Sequence, residues 1–65
     1  MEGVVQHILK VQNSQNYVVT AVPVVKFGYR YEAARFEDYE AAFDVASEVQ
    51  DRKKVEIEIE ELVNG

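Results

Sequence analysis

The pattern of apolar and polar positions changes period twice along the chain, from strand-like to helix-like and back. Val4-Val5-Gln6-His7-Ile8-Leu9-Lys10-Val11-Gln12 is β-branched and roughly alternating, which predicts a strand. Asn13-Ser14-Gln15-Asn16 is a cluster of turn formers, and Tyr17-Val18-Val19-Thr20-Ala21-Val22 resumes the strand pattern. Together they predict a β-hairpin. Pro23 cannot donate to a ladder and belongs at an edge, a strand end or a bulge. Val24 to Tyr31 still reads as extended, with Gly28 marking a bend or bulge. This stretch is either one strand bent near Pro23 or two short ones.

Tyr39, Ala42, Phe43, Ala46 and Val49 then recur at the three- and four-residue spacing of a buried helix stripe. Asp38 is the favoured N-cap, with Phe36 folding back over the first turn; a start near Glu32, among the helix formers Glu32-Ala33-Ala34-Arg35, is the alternative. Arg52, Lys53 and Lys54 at the far end suit the negative pole of the helix. Val55-Glu56-Ile57-Glu58-Ile59-Glu60 alternates strictly and predicts a strand with Val55, Ile57 and Ile59 inward. Leu62 and Val63 break that alternation, and Asn64-Gly65 reads as a frayed end. The expected fold class is α+β. A small three- or four-stranded, mainly antiparallel sheet (β-β-(β)-α-β) would carry one amphipathic helix on one face, with residues 1–65 forming a single domain.

Composition narrows this further. A chain of 65 residues buries only about 60% of the surface its unfolded form exposes. Without cysteine it has neither a disulfide nor a Cys/His zinc cluster to add stability. Tight sheet–helix packing or a second subunit must supply it, so a homodimer is one expectation. Met1-Glu2-Gly3-Val4 lacks the basic and apolar segments of a leader. The longest apolar run, Ala21-Val22-Pro23-Val24-Val25, is far short of the roughly 20 residues that span a bilayer. A cytoplasmic protein with no membrane contact is expected.

The residues offer little for catalysis. Ser14 and Ser47 lie outside any nucleophile motif, and His7 is the sole histidine, on the strand face shared with Val5, Leu9 and Val11. Gly3, Gly28 and Gly65 are isolated, so no phosphate loop exists, and no carboxylate run has calcium-loop spacing. The expectation is a protein that is not an enzyme and takes no cofactor and no metal.

Charge is where the chain is distinctive. Residues 1–35 carry a net +2 and residues 36–65 a net −7, within an overall −5. Glu37, Glu40, Asp44, Glu48 and Asp51 fall on one helix face, opposite the apolar stripe, with few cations at i+4 to offset them. Glu56, Glu58 and Glu60 form a second row along the last strand. Successive carboxylates would sit roughly 5–7 Å apart in both rows, a spacing suited to mimicking a nucleic-acid backbone before a Lys- and Arg-lined groove. The same rows would also serve simply to keep the protein soluble and to blunt an edge strand.

Lys26-Phe27-Gly28-Tyr29-Arg30-Tyr31 is the opposing feature, an aromatic and basic stretch. On an extended segment its rings would share one face and its cations the other, with the aromatics packed under the helix. Direct nucleic-acid binding by Lys26, Tyr29, Arg30 and Tyr31 is therefore disfavoured, and the acidic remainder repels a phosphate backbone.

In size, acidity and layout the chain resembles small phage-encoded inhibitors, including anti-CRISPR proteins. That resemblance implies a non-enzymatic inhibitor that blocks a basic protein partner, a nucleic-acid-binding protein or nuclease, in the manner of a DNA mimic. The expected partner-binding residues are Glu37, Glu40, Asp44, Glu48, Asp51, Glu56, Glu58 and Glu60. The alternative is a small homodimeric interaction or assembly module whose acids only solubilise it.

Overall fold

Eight residues of alternating, β-branched sequence make β1 (Val4–Val11) long enough to serve as the centre of a sheet. The computed structural model describes residues 4–64; the readings of Met1–Gly3 and Gly65 lie outside the described residues. β2 (Tyr17–Thr20), β3 (Lys26–Gly28) and β4 (Ile57–Asn64) join β1 in one antiparallel sheet of order β3-β2-β1-β4. The helix α1 (Tyr39–Lys53) packs against it, which is the expected small α+β fold.

β1 and β4 pair along their whole length, from Val4↔Asn64 to Val11↔Ile57. β1 and β2 instead meet at Lys10↔Tyr17, beside the turn, and then splay. The gap is filled by the chain entering the helix. His7 and Phe36 exchange two backbone bonds of 2.7 and 2.9 Å, and Ala34 N–H donates to Val18 O at 3.0 Å. Backbone groups that would be orphaned by the splay are thereby satisfied. The same segment passes from one face of the sheet to the other, since Ala33 packs with Ile8 while Phe36 packs with Leu9.

The stretch that sequence left open resolves into short pieces. β2 stops at Thr20, the Val22–Pro23 peptide is cis, and β3 is only three residues long. A 3₁₀ turn, Arg30–Glu32, follows, so the extended reading to Tyr31 is corrected. The bend comes immediately after Gly28. A Cβ there would lie 2.6 Å from Glu32 Oε1 and 2.8 Å from Val19 Cγ2, so glycine permits the close approach. That Glu32 oxygen accepts the Tyr29 N–H at 3.0 Å, pinning the turn.

Asp38 caps the helix as expected, its Oδ1 accepting from Glu40 N–H at 3.1 Å. At the other end Lys54 is left-handed (φ 56°) and its N–H bonds to Gln50 O. Ala42, Ala46 and Val49 are buried, but Tyr39 and Phe43 are 52% and 53% exposed, which corrects the five-residue stripe. The alanines let the helix lie close to the sheet, and the two rings overhang its flank. No helix among the described residues is long and apolar enough to cross a membrane.

β4 begins two residues later than expected and runs on to Asn64. The alternation does not break at Leu62; the buried face changes. Ile57 and Ile59 pack under α1, whereas Leu62 packs on the opposite face with Ile8, Tyr17 and Ala33. Val63, beyond the end of the helix, is exposed.

Candidate partner-binding surface

Of the two acidic rows, that of the helix is the more regular. Glu40, Asp44, Glu48 and Asp51 are exposed on α1 and lie away from the buried Ala42, Ala46 and Val49, whereas Glu37, also exposed, precedes the Asp38 cap, which corrects its expected place on the helix face. The C-terminal part is partly offset, by one cation at i+4 and one at i+3. Arg52 pairs with Glu48 and also donates to Ala21 O at 3.2 Å, and Lys54 lies 3.9 Å from Asp51. Glu37, Glu40 and Asp44 have no ion-pair partner among the described residues. The bare negative charge is thus concentrated at the N-terminal turns, where the helix pole favours it.

The strand row is not an evenly open ladder. Glu56 and Glu58 are exposed, but Glu60 is half-buried. Lys10 Nζ stands 3.9 Å from Glu58, and the Tyr17 hydroxyl donates to Glu60 Oε1 at 3.2 Å. Burial, then the charge and hydrogen bond of Glu60, pushes the Tyr17 phenol above its ordinary range. Because Ile57 and Ile59 face α1, Glu58 and Glu60 face the other way. The two acidic rows therefore lie on opposite sides of the sheet, and no single flat surface contains both.

The boundary shared by those two sides is the outer edge of β4, the last strand in the sheet order. Gln12 N–H donates to Glu56 O at 2.9 Å, which sets the phase of the ladder. Paired and unpaired positions alternate along an antiparallel strand, so Ile57, Ile59, Glu61 and Val63 turn their backbone groups away from β1. The first outward N–H, that of Ile57, is taken by Gln50 Oε1 at 2.9 Å. The next three face an edge on which no further strand pairs among the described residues.

Beside this edge runs a groove of about 290 Å³, lined by Tyr39, Phe43, Ala46, Ser47, Gln50, Ile57 and Ile59. It is slightly under the size of typical small-molecule sites, which begin near 300 Å³. The Tyr39 and Phe43 rings lie 6.3 Å apart on its helix side, and Tyr39 also meets His7 edge-on at 5.6 Å. Sequence reasoning missed this groove by assigning both rings to the core. The available signal was that Tyr39, Phe43 and Gln50 share one flank of the helix, to the side of Ala42 and Val49.

The basic and aromatic stretch lies by the opposite edge strand, β3. Lys26, Tyr29, Arg30 and Tyr31 are exposed, which corrects the expectation that these tyrosines pack under the helix. The rings of Tyr29 and Tyr31 stack on each other, 5.7 Å apart and 10° from parallel. Their inner faces are thus already occupied. His7 is buried, its Nδ1 3.2 Å from Phe36 O, and the Ser14 hydroxyl closes the hairpin turn by donating to Val11 O. Compared with protein-family models, with curated proteins and with solved structures, the chain matches none.

Proposed function

We propose that this protein is a non-enzymatic binding protein of the cytoplasm whose acidic surface engages, and so blocks, a positively charged nucleic-acid-binding partner. The observation that carries this reading is the pair Glu40 and Asp44, exposed on successive turns of α1, with Glu37 just before its cap, all three without an ion-pair partner among the described residues. Like charges at this spacing destabilise a helix slightly, and the cost is recovered when a cationic surface is brought to them. Attraction of this kind speeds encounter and is screened within about 8 Å at physiological salt. A partner that grips phosphates with Lys and Arg presents the complementary field.

The test is affinity capture at low and high salt, followed by reconstitution with the purified captured protein. The triple variant Glu40→Lys/Asp44→Lys/Glu48→Lys is expected to lose binding and the native complex to dissociate steeply with salt. Binding that ignores both changes sinks the reading. A homodimeric module is the second reading, favoured by the open edge of β4 and the half-exposed Tyr39 and Phe43. Sedimentation of the full chain separates the two, since a dimer persisting at high salt supports the module.

A further inference from the structure

Three features meet along one line of the molecule. The outer edge of β4 presents free backbone groups at Ile59, Glu61 and Val63; the aromatic groove borders it on the helix side; Glu58 and Glu60 border it on the other. We infer that the partner element this protein takes is an extended segment of alternating basic and apolar residues, added to β4 as a fifth strand. This rests on the reading of the partner as positively charged.

An added strand would bond through its backbone to the outward N–H and C=O groups of β4. Its side chains would then alternate between the two faces of the sheet. Those on the α1 side meet Tyr39, Phe43, Ile57 and Ile59, which suits aliphatic or aromatic residues. Those on the other side come beside Glu58 and Glu60, which suits lysine or arginine, because opposite charges on adjacent strands attract. Among the described residues Glu60 has no cationic partner there; its hydrogen-bond partner is the Tyr17 hydroxyl.

Only an element lying in the plane of the sheet can bond to the open β4 edge with one face toward the groove and the other toward Glu58 and Glu60. A second copy is disfavoured by charge, because antiparallel pairing of two β4 strands through the open positions Ile59, Glu61 and Val63 sets Glu61 against the same residue of the partner. The edge at β3 is a poor competitor: it is three residues long, and Glu32 folds over Gly28.

The decisive experiment uses the full chain and two synthetic peptides of identical lysine and valine content. One alternates strictly; the other is reordered so that its lysines share a helix face. Amide exchange and chemical shifts are read at low salt. The alternating peptide is expected to bind about tenfold or more tighter, a difference of about 1.4 kcal/mol, and to slow exchange at Ile59, Glu61 and Val63. N-methylation of alternate peptide residues should abolish binding in one phase and spare it in the other. Glu58→Gln/Glu60→Gln and Phe43→Ala should each weaken binding, and the N-methyl arms stand independently of whether those variants fold. Equal binding of both peptides with shifts at Glu40 and Asp44 overturns strand addition while leaving a cationic partner in place. Binding of neither peptide overturns both. Protection of the same three amides that rises with protein concentration alone overturns it in favour of self-pairing.

Discussion

Ile8 and Leu9 are neighbours in β1 and both are fully buried, yet they serve different cores. Leu9 belongs to the helix side, where Val18, Ala42, Ala46 and Val49 close over it by apolar contact. Ile8 belongs to the far side, where Tyr17 and Ala33 cover it and a tyrosine–carboxylate hydrogen bond sits at the rim. The first core is made by a regular element with a repeating face. The second is made by a short irregular segment and one polar contact. A small chain thus divides a thin apolar supply between two faces, and the acidic strand row is partly consumed in closing the weaker one.

Truncation of β1 should break this comparison most severely. Leu9→Ala is expected to cost about 2–5 kcal/mol, much of what a domain this small possesses. Ile8→Ala should fall near the lower end, about 2 kcal/mol, because the non-helical segment carrying Ala33 can close inward. Urea unfolding followed by circular dichroism reads both, and equal losses would show the two cores to be equivalent.

The polar rim is the next test. Tyr17→Phe should cost about 1 kcal/mol, as expected for one partly exposed hydrogen bond to a charged group. A double-mutant cycle with Glu60→Gln should show coupling; strict additivity would mean that the contact contributes nothing.

The same contact sets a pH dependence. The Tyr17 phenol ionises above its ordinary value of 10.0 in the folded protein. The folded chain therefore holds a proton that the unfolded chain has released, and the stabilisation is complete below pH 10. It is lost as pH rises through the higher folded value. Unfolding measured from pH 9 upward should show stability falling, and Tyr17→Phe should remove that part of the fall.

The smallest effect is expected on the helix surface. Asp44→Lys would place a cation between Glu40 and Glu48 at i−4 and i+4, raising stability by about 0.5 kcal/mol. The same change should weaken capture of a cationic partner. A lysine that stabilises the helix and leaves binding intact would assign Asp44 to solubility alone.

Much of this architecture was legible from local pattern. The hairpin at Asn13–Asn16, the Asp38 cap, the helix and the Ile57–Ile59 alternation each depend on residues a few positions apart. The helix acid row was legible for the same reason. The groove was not, because Tyr39 and Phe43 are apolar at helical spacing whether they face the core or overhang it. Glu60 and Leu62 misled in a related way, since alternation reports two faces but not which one is covered.

The sequence by itself determined the hairpin, the helix and its cap, the alternation of the last strand, and the division of charge between halves, because these follow from short-range periodicity and composition. Only the tertiary structure decided that β1 and β2 splay around Ala34–Phe36 and that the buried face of β4 switches between Ile59 and Leu62. It alone set the two acidic rows back to back across an open edge. Those outcomes depend on which segments, 29 residues apart for His7 and Phe36 and 43 for Tyr17 and Glu60, come to cover which face. No local pattern carries that information.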